Sequence, residues 1–218
     1  MGKDIELSLD IAMGNLGWVC FKDSVPQACG VVSPSIPKDL ASLKGKKKLS
    51  VREQNVILLE QLIDGFDRVL VRHHPALVVG EAPPGGAQDA NAAVKLNMAL
   101  AVVVTVCFVH GVPYQWCSPL DVKRATAGAD TASKEQIMDW ALDRFGGEKD
   151  VQEVLIKNGK CAGKVTRRLK YNFLGRWIPG GKFEHIADAC GAYVAVKNQP
   201  TSRPGARGYR NKPRRLGQ

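Results

Sequence analysis

The sequence predicts an α/β fold built on a mixed sheet with helices on both faces, and three observations predict it. Short runs that alternate apolar and polar residues open the chain, separated by turn residues, and read as a three-strand antiparallel meander. Beyond residue 50, long stretches of helical periodicity alternate with short strand-like runs. One of those runs, residues 76–80, is apolar throughout, as a strand covered on both faces requires. A meander followed by alternating helices and strands gives a mixed sheet with helix layers above and below.

Taken in order, Ile5-Glu6-Leu7-Ser8-Leu9 alternates in polarity, Met13-Gly14-Asn15-Leu16 supplies turn chemistry, and Gly17-Trp18-Val19-Cys20-Phe21 follows as the second arm of a hairpin. A turn around Ser24-Val25-Pro26 leads to a third strand over residues 28–32, and Pro34 and Pro37 end it. Residues 44–48 form a short basic loop. Ser50 with Glu53 has capping-box spacing and starts a helix that runs to about Arg72. Val56, Leu59, Leu62, Ile63, Phe66 and Val69 recur at three- and four-residue steps along it. Strand 76–80 comes next, with Glu81 at its carboxyl end. A helix over residues 91–109 is apolar on nearly all sides, which implies burial against two surfaces, the sheet and a second subunit. Its most apolar part, residues 98–109, falls short of the roughly 20 residues that a bilayer span needs. A strand over 113–117, a helix over 133–145, a glycine-bounded segment to Gly181 and a final helix over 184–197 complete the order.

The net charge of +10 over 218 residues favours polyanionic partners. Residues 146–182 carry +6 and residues 197–218 carry +7, which leaves −3 for the remainder. The basic excess therefore reads as two phosphate-gripping segments on a mildly acidic core. The six cysteines show no CxxC pair, which argues against zinc and for buried reduced thiols in a cytoplasmic setting. A bridge between Cys20 and Cys29 on neighbouring strands stays open. No signal peptide is read at the start of the sequence.

The chemistry is expected where Asp10 ends the first strand and Glu81 ends a later, adjacent one. A carboxylate directly after Leu77-Val78-Val79-Gly80 is costly unless a cation or partner neutralises it. His185 and Asp188, three apart, share a helix face among small neighbours. Three acids and an imidazole at element ends suit Mg²⁺ or Mn²⁺, and two such ions in one site drive phosphodiester hydrolysis.

These blocks also carry a resemblance. Leu7-Ser8-Leu9-Asp10 with Asn15-Leu16-Gly17-Trp18, then Val78-Val79-Gly80-Glu81, Leu120-Asp121-Val122-Lys123, Ala132-Ser133-Lys134-Glu135-Gln136 and His185-Ile186-Ala187-Asp188-Ala189 resemble, in order, the RuvC Holliday-junction resolvases. The resemblance implies an RNase H-like fold, a homodimer, and paired metal-dependent nicks across four-way or other branched DNA. It implies Asp10, Glu81, His185 and Asp188 as metal ligands and Lys123 and Lys134 as cations for the scissile phosphate. Residues 1–198 read as the nuclease domain with a basic insertion at about 146–182, and the Pro, Gly and Arg content of residues 199–218 argues for a basic disordered tail. Pro84 stands where some bacterial members carry an aromatic wedge, and the long basic insertion and Arg-rich tail are similar to phage or viral versions. The rival readings are a nuclease of the same fold acting on RNA–DNA hybrids or flaps, and a non-catalytic junction-binding protein. An actin-like ATPase is disfavoured, since no second Asp-x-Gly phosphate hairpin follows.

Overall fold

The computed structural model describes residues 4–43, 48–82, 90–155 and 164–199. Five strands form the main sheet: β1 (Glu6–Asp10), β2 (Leu16–Lys22), β3 (Val25–Val32), β4 (Leu77–Glu81) and β5 (Tyr114–Cys117), in the order β3-β2-β1-β4-β5. β1 is antiparallel to β2, which is antiparallel to β3, whereas β1, β4 and β5 run parallel. The mixed α/β sheet of the sequence reading is therefore present.

Side-chain alternation sorts β1 and β4 between two cores. Leu7, Leu9 and Val78 point to the face covered by α2 (Val51–His73) and α3 (Ala90–Val109), where they meet Leu62, Phe66, Val103 and Cys107. Val79 points to the opposite face, under α4 (Pro119–Ala127), α5 (Lys134–Phe145) and α6 (Gly180–Asn198). Ser8 points the same way and donates its hydroxyl to the Ala189 carbonyl of α6 at 2.6 Å, which satisfies an otherwise buried polar group. By the same period of two, Asp10 and Glu81 emerge on the α6 side.

α6 lies on this face almost without side-chain spacers. A Cβ on Gly17 would come within 2.3 Å of the His185 carbonyl oxygen, and one on Gly191 within 2.7 Å of Val122 of α4. Glycine at these positions lets helix and sheet, and helix and helix, approach to backbone contact.

Several local expectations are corrected. The β2–β3 turn is Asp23-Ser24, both at positive φ (55° and 63°), and β3 starts at Val25, earlier than expected. Pro26 is tolerated because β3 is an edge strand. A bulge at Cys20/Phe21 shifts the register, so Cys20 pairs with Ala28 and Cys29 with Val19. The two thiols consequently lie in different cores, both free, and the open disulfide is excluded. α3 is 20 residues long and is, among the described residues, the one helix whose length and composition would suffice to cross a membrane. Its buried side is Ala99, Val102, Val103, Val106 and Cys107, while Phe108 and Val109 are 64% and 74% exposed, so one face alone is covered by the protein itself.

Two helices were not anticipated, the single-turn α1 (Lys38–Ala41) and α4, which carries a Ser118–Asp121 capping box with Pro119 in its first turn. The basic segment is a second sheet of three antiparallel strands, β6 (Glu148–Leu155), β7 (Val165–Phe173) and β8 (Arg176–Pro179), and α6 begins directly after β8 at Gly180. Residues 44–47 of the basic loop, Pro84 and its neighbours, Cys161 and the tail from residue 200 lie outside the described residues.

Replacing Gly17 with Ala is expected to lower stability by about 1–3 kcal/mol, because a backbone carbonyl cannot rotate away as a flexible side-chain end can. Urea unfolding checks this; an unchanged midpoint would mean that α6 slides freely on β2.

Candidate metal and phosphate site

Asp10 and Glu81 are register partners at the carboxyl ends of the parallel pair β1–β4, so the sheet fixes them side by side. α6 lays His185 and Asp188 over them from above. Together with Lys134 and Glu184 these groups line a recess of about 220 Å³, which Leu96 of α3 helps to enclose. The four residues singled out as metal ligands are thus brought to one place by three separate elements, β1, β4 and α6. Lys134, the first residue of α5, lines the recess as well. Lys123, on α4, is not part of that lining, yet its charge reaches Glu81 from the side.

The electrostatics are those of crowded acids. Burial, and then the charges of Asp10 and Asp188, push the Glu81 carboxyl up to about 8, with Lys123 working against them. Burial likewise raises Asp188 to about 7, helped by Asp10 and Glu184 and opposed by Lys134 and His185. His185 Nδ1 and Asp10 Oδ2 are 2.6 Å apart, and this hydrogen bond is the main reason that the imidazole is held above its ordinary range. In this conformation Asp10 therefore spends one oxygen on His185. Among the described residues no three His, Cys, Asp or Glu side chains already converge as a metal-ligand set. The donor chemistry nevertheless fits a hard divalent cation: buried carboxylates that resist ionisation next to one another are relieved by a positive charge between them.

Glu184 was missed by the sequence reading. Its carboxylate pairs with the Lys134 ammonium, and its charge acts on both His185 and Asp188. Adjacency to His185 was the one available signal, but an acid near a helix start ordinarily reads as dipole compensation.

The sheet order with carboxylates at the ends of its central parallel strands defines the class, an α/β protein of RNase H-like fold. Within that class the chain is similar to RuvC proteins, in sequence over 97 residues and in fold over most of its length. The crossover junction endodeoxyribonuclease RuvC proteins of two Nitratidesulfovibrio vulgaris strains are 34% identical to it over 97 residues, covering 39% of this chain and 55% of theirs. The chain thus matches about half the length of these curated relatives. Thermus thermophilus RuvC, solved in complex with a Holliday junction substrate, superposes with a TM-score of 0.56 at 18% identity, over 89% of this chain and 93% of that one. The yeast mitochondrial Holliday junction resolvase gives 0.51 at 13% identity, over 87% and 76%. At such identities the structures speak for the fold alone. No protein-family model matches the chain.

The raised carboxyls have a consequence for stability. Unfolded, Glu81 ionises near its ordinary 4.5; folded, it keeps its proton to about 8. The folded state therefore loses stability as pH rises from about 4.5 through 8, and Asp188 adds the same trend up to about 7. Glu81→Gln is expected to stabilise the cation-free protein by about 1–3 kcal/mol at pH 8.5 and by little at pH 5. Urea midpoints in the presence of a chelator measure it, and an equal effect at both pH values would contradict the crowding argument.

Proposed function

We propose that this chain is a metal-dependent endonuclease that resolves four-way and other branched DNA by paired phosphodiester cleavage. The observation that carries the reading is the convergence of Asp10, Glu81 and Asp188, from β1, β4 and α6, on one recess flanked by lysines. Similarity to RuvC proteins, one of them solved with a Holliday junction substrate, supplies the substrate class.

Asp10, Glu81 and Asp188 would hold Mg²⁺ or Mn²⁺, with His185 as the fourth donor once it turns from Asp10. A bound divalent pair supplies an activated water and neutralises charge on the leaving oxygen. Lys134 at the rim attracts a backbone phosphate toward the carboxylates, and Lys123 offsets the charge of Glu81. The sheet β6–β8 adds Arg167, Arg168, Lys170 and Arg176, exposed or half-exposed, as further phosphate contacts. The acids Glu148, Asp150 and Glu153 on β6 dilute that charge, so the segment contributes in patches rather than as a uniform field.

Paired cuts need two active sites, and the surface between α2 and α3 suits a second copy of the chain. Leu59 and Ile63 of α2 with Met98, Ala101, Val106 and Val109 of α3 line an apolar groove of about 430 Å³. It shares no lining residue with the recess of Asp10, Glu81 and Asp188. Such an apolar helical surface favours association with a matching one across a two-fold axis.

A synthetic four-way junction with Mg²⁺ is expected to receive two symmetric nicks, mapped on end-labelled strands. Cleavage of an RNA–DNA hybrid with an intact junction would instead favour the rival substrate. Asp10→Asn is expected to lower the cleavage rate at least about 1000-fold while junction affinity changes less than about threefold, since basic side chains dominate phosphate binding. Loss of binding by the folded variant would contradict this division. Ala101→Glu is expected to convert a dimer to a monomer in light scattering; a monomeric wild type would refute the interface.

A further inference from the structure

Lys134 heads α5 with a side chain 72% exposed, a position from which a lysine samples many rotamers. Its ammonium is nonetheless paired with Glu184, whose side chain is 22% exposed and is set in the first turns of α6, directly before His185. Both line the recess that holds Asp10, Glu81 and Asp188. Three anions are therefore within electrostatic reach of this one cation: Glu184, Asp188 and Asp10. Only the first of them is dispensable to the cation site described above. A lysine that collapsed onto Asp188 or Asp10 would occupy the charge that a divalent ion needs, because a single carboxylate oxygen cannot serve both at full strength.

We propose that Glu184 is a positioning residue: by pairing with Lys134 it fixes the ammonium at the rim of the recess, where a DNA phosphate arrives, and keeps it off Asp10 and Asp188. The inference rests on the nuclease reading for the roles of those two acids. It adds a division among the acids of the recess, with Asp10, Glu81 and Asp188 reserved for the cation and Glu184 for the lysine. Lys134 and Asp188 line the same recess, so the competing arrangement is open to the lysine without any movement of the backbone.

The test is a double-mutant cycle between Glu184→Gln and Lys134→Met, read first as Mn²⁺ binding to the DNA-free protein by calorimetry. Glu184→Gln is expected to weaken Mn²⁺ binding about 3- to 10-fold in the wild-type background and less than about twofold in the Lys134→Met background, because the released lysine is the competitor. An equal loss in both backgrounds would mean that Glu184 acts through its own charge or as a ligand, and no loss in the wild type would mean that Lys134 is not a competitor; either result overturns the proposal. Glu184→Asp, which retains a shorter carboxylate, is expected to recover at least half of the lost affinity on a logarithmic scale, and failure to do so also counts against it. Thermal melting of each variant separates unfolding from these effects. On a four-way junction, Glu184→Gln is expected to lower kcat about tenfold with KM changed less than about twofold, and again not in the Lys134→Met background. Because the Mn²⁺ cycle needs no substrate, a wild type that leaves junctions uncut would remove the nuclease reading and leave the pairing of Glu184 with Lys134 separately decided.

Discussion

Everything in the candidate site depends on how closely α6 can lie on the main sheet. The sequence makes that approach possible by what it omits. Gly17 stands opposite Asp10 in the β1–β2 register, and its missing side chain is the space that the His185 backbone occupies. Ser8 then fastens the middle of the helix through Ala189, and Cys117 of β5 lies with its sulfur 3.8 Å from the Ala192 carbonyl. The far side is closed by Gly191 against Val122 and Thr126 of α4. A helix held one side-chain layer further out would place His185 and Asp188 beyond reach of Asp10 and Glu81. The small residues of α6 are therefore a geometric requirement of the site, and burial of Ala187, Ala189, Cys190 and Ala192 is its energetic counterpart.

The same closeness creates the electrostatic cost. Carboxylates delivered by three elements into a recess of about 220 Å³ cannot all ionise comfortably, and the fold tolerates this because the rest of α6 is almost wholly buried. Stability gained along the helix offsets strain concentrated at its beginning. The cations differ in their relation to the recess: Lys134 lines it, Lys123 acts on Glu81 by its charge without lining it, and the basic residues of β7 and β8 are not part of its lining.

Much of this was legible in the sequence, for identifiable reasons. Asp10 and Glu81 could be singled out because each breaks an apolar pattern at a strand end, and His185 and Asp188 because they interrupt a helix of apolar and small residues, where a polar side chain calls for explanation. Glu184 could not, since its meaning lies in a contact with Lys134, fifty residues away. α4 went unseen although Ser118-Pro119-Leu120-Asp121 states its cap plainly; the helix is only nine residues long and leaves little periodicity to read. The fate of Cys20 and Cys29 turned on a single β-bulge, which no count of intervening residues reveals. In the basic segment, Leu169, Tyr171 and Phe173 do alternate with Lys170 and Asn172, but β6 answers with Glu148, Lys149 and Asp150, and the charge obscured the strand.

That segment also has a part in the packing around the recess. Tyr171 stacks on Phe183 with ring centres 4.5 Å apart, and Phe173 meets the same ring edge-on at 5.5 Å. Phe183 is fully buried and immediately precedes Glu184 and His185. On its other side the sheet is tied to α5 through Lys149, which bonds both Glu135 and Asp139 in the helix that Lys134 begins. β6–β8 is thus clamped to the two helices that supply Lys134, Glu184, His185 and Asp188, and β8 runs into α6 without a connecting loop. The Tyr171 hydroxyl, buried with no hydrogen-bond partner among the described residues, indicates that ring packing took precedence over polar satisfaction at this joint. These aromatic contacts join the outer strands to the backbone from which Glu184, His185 and Asp188 project, so the basic sheet belongs to the architecture of the site as much as to its surface charge.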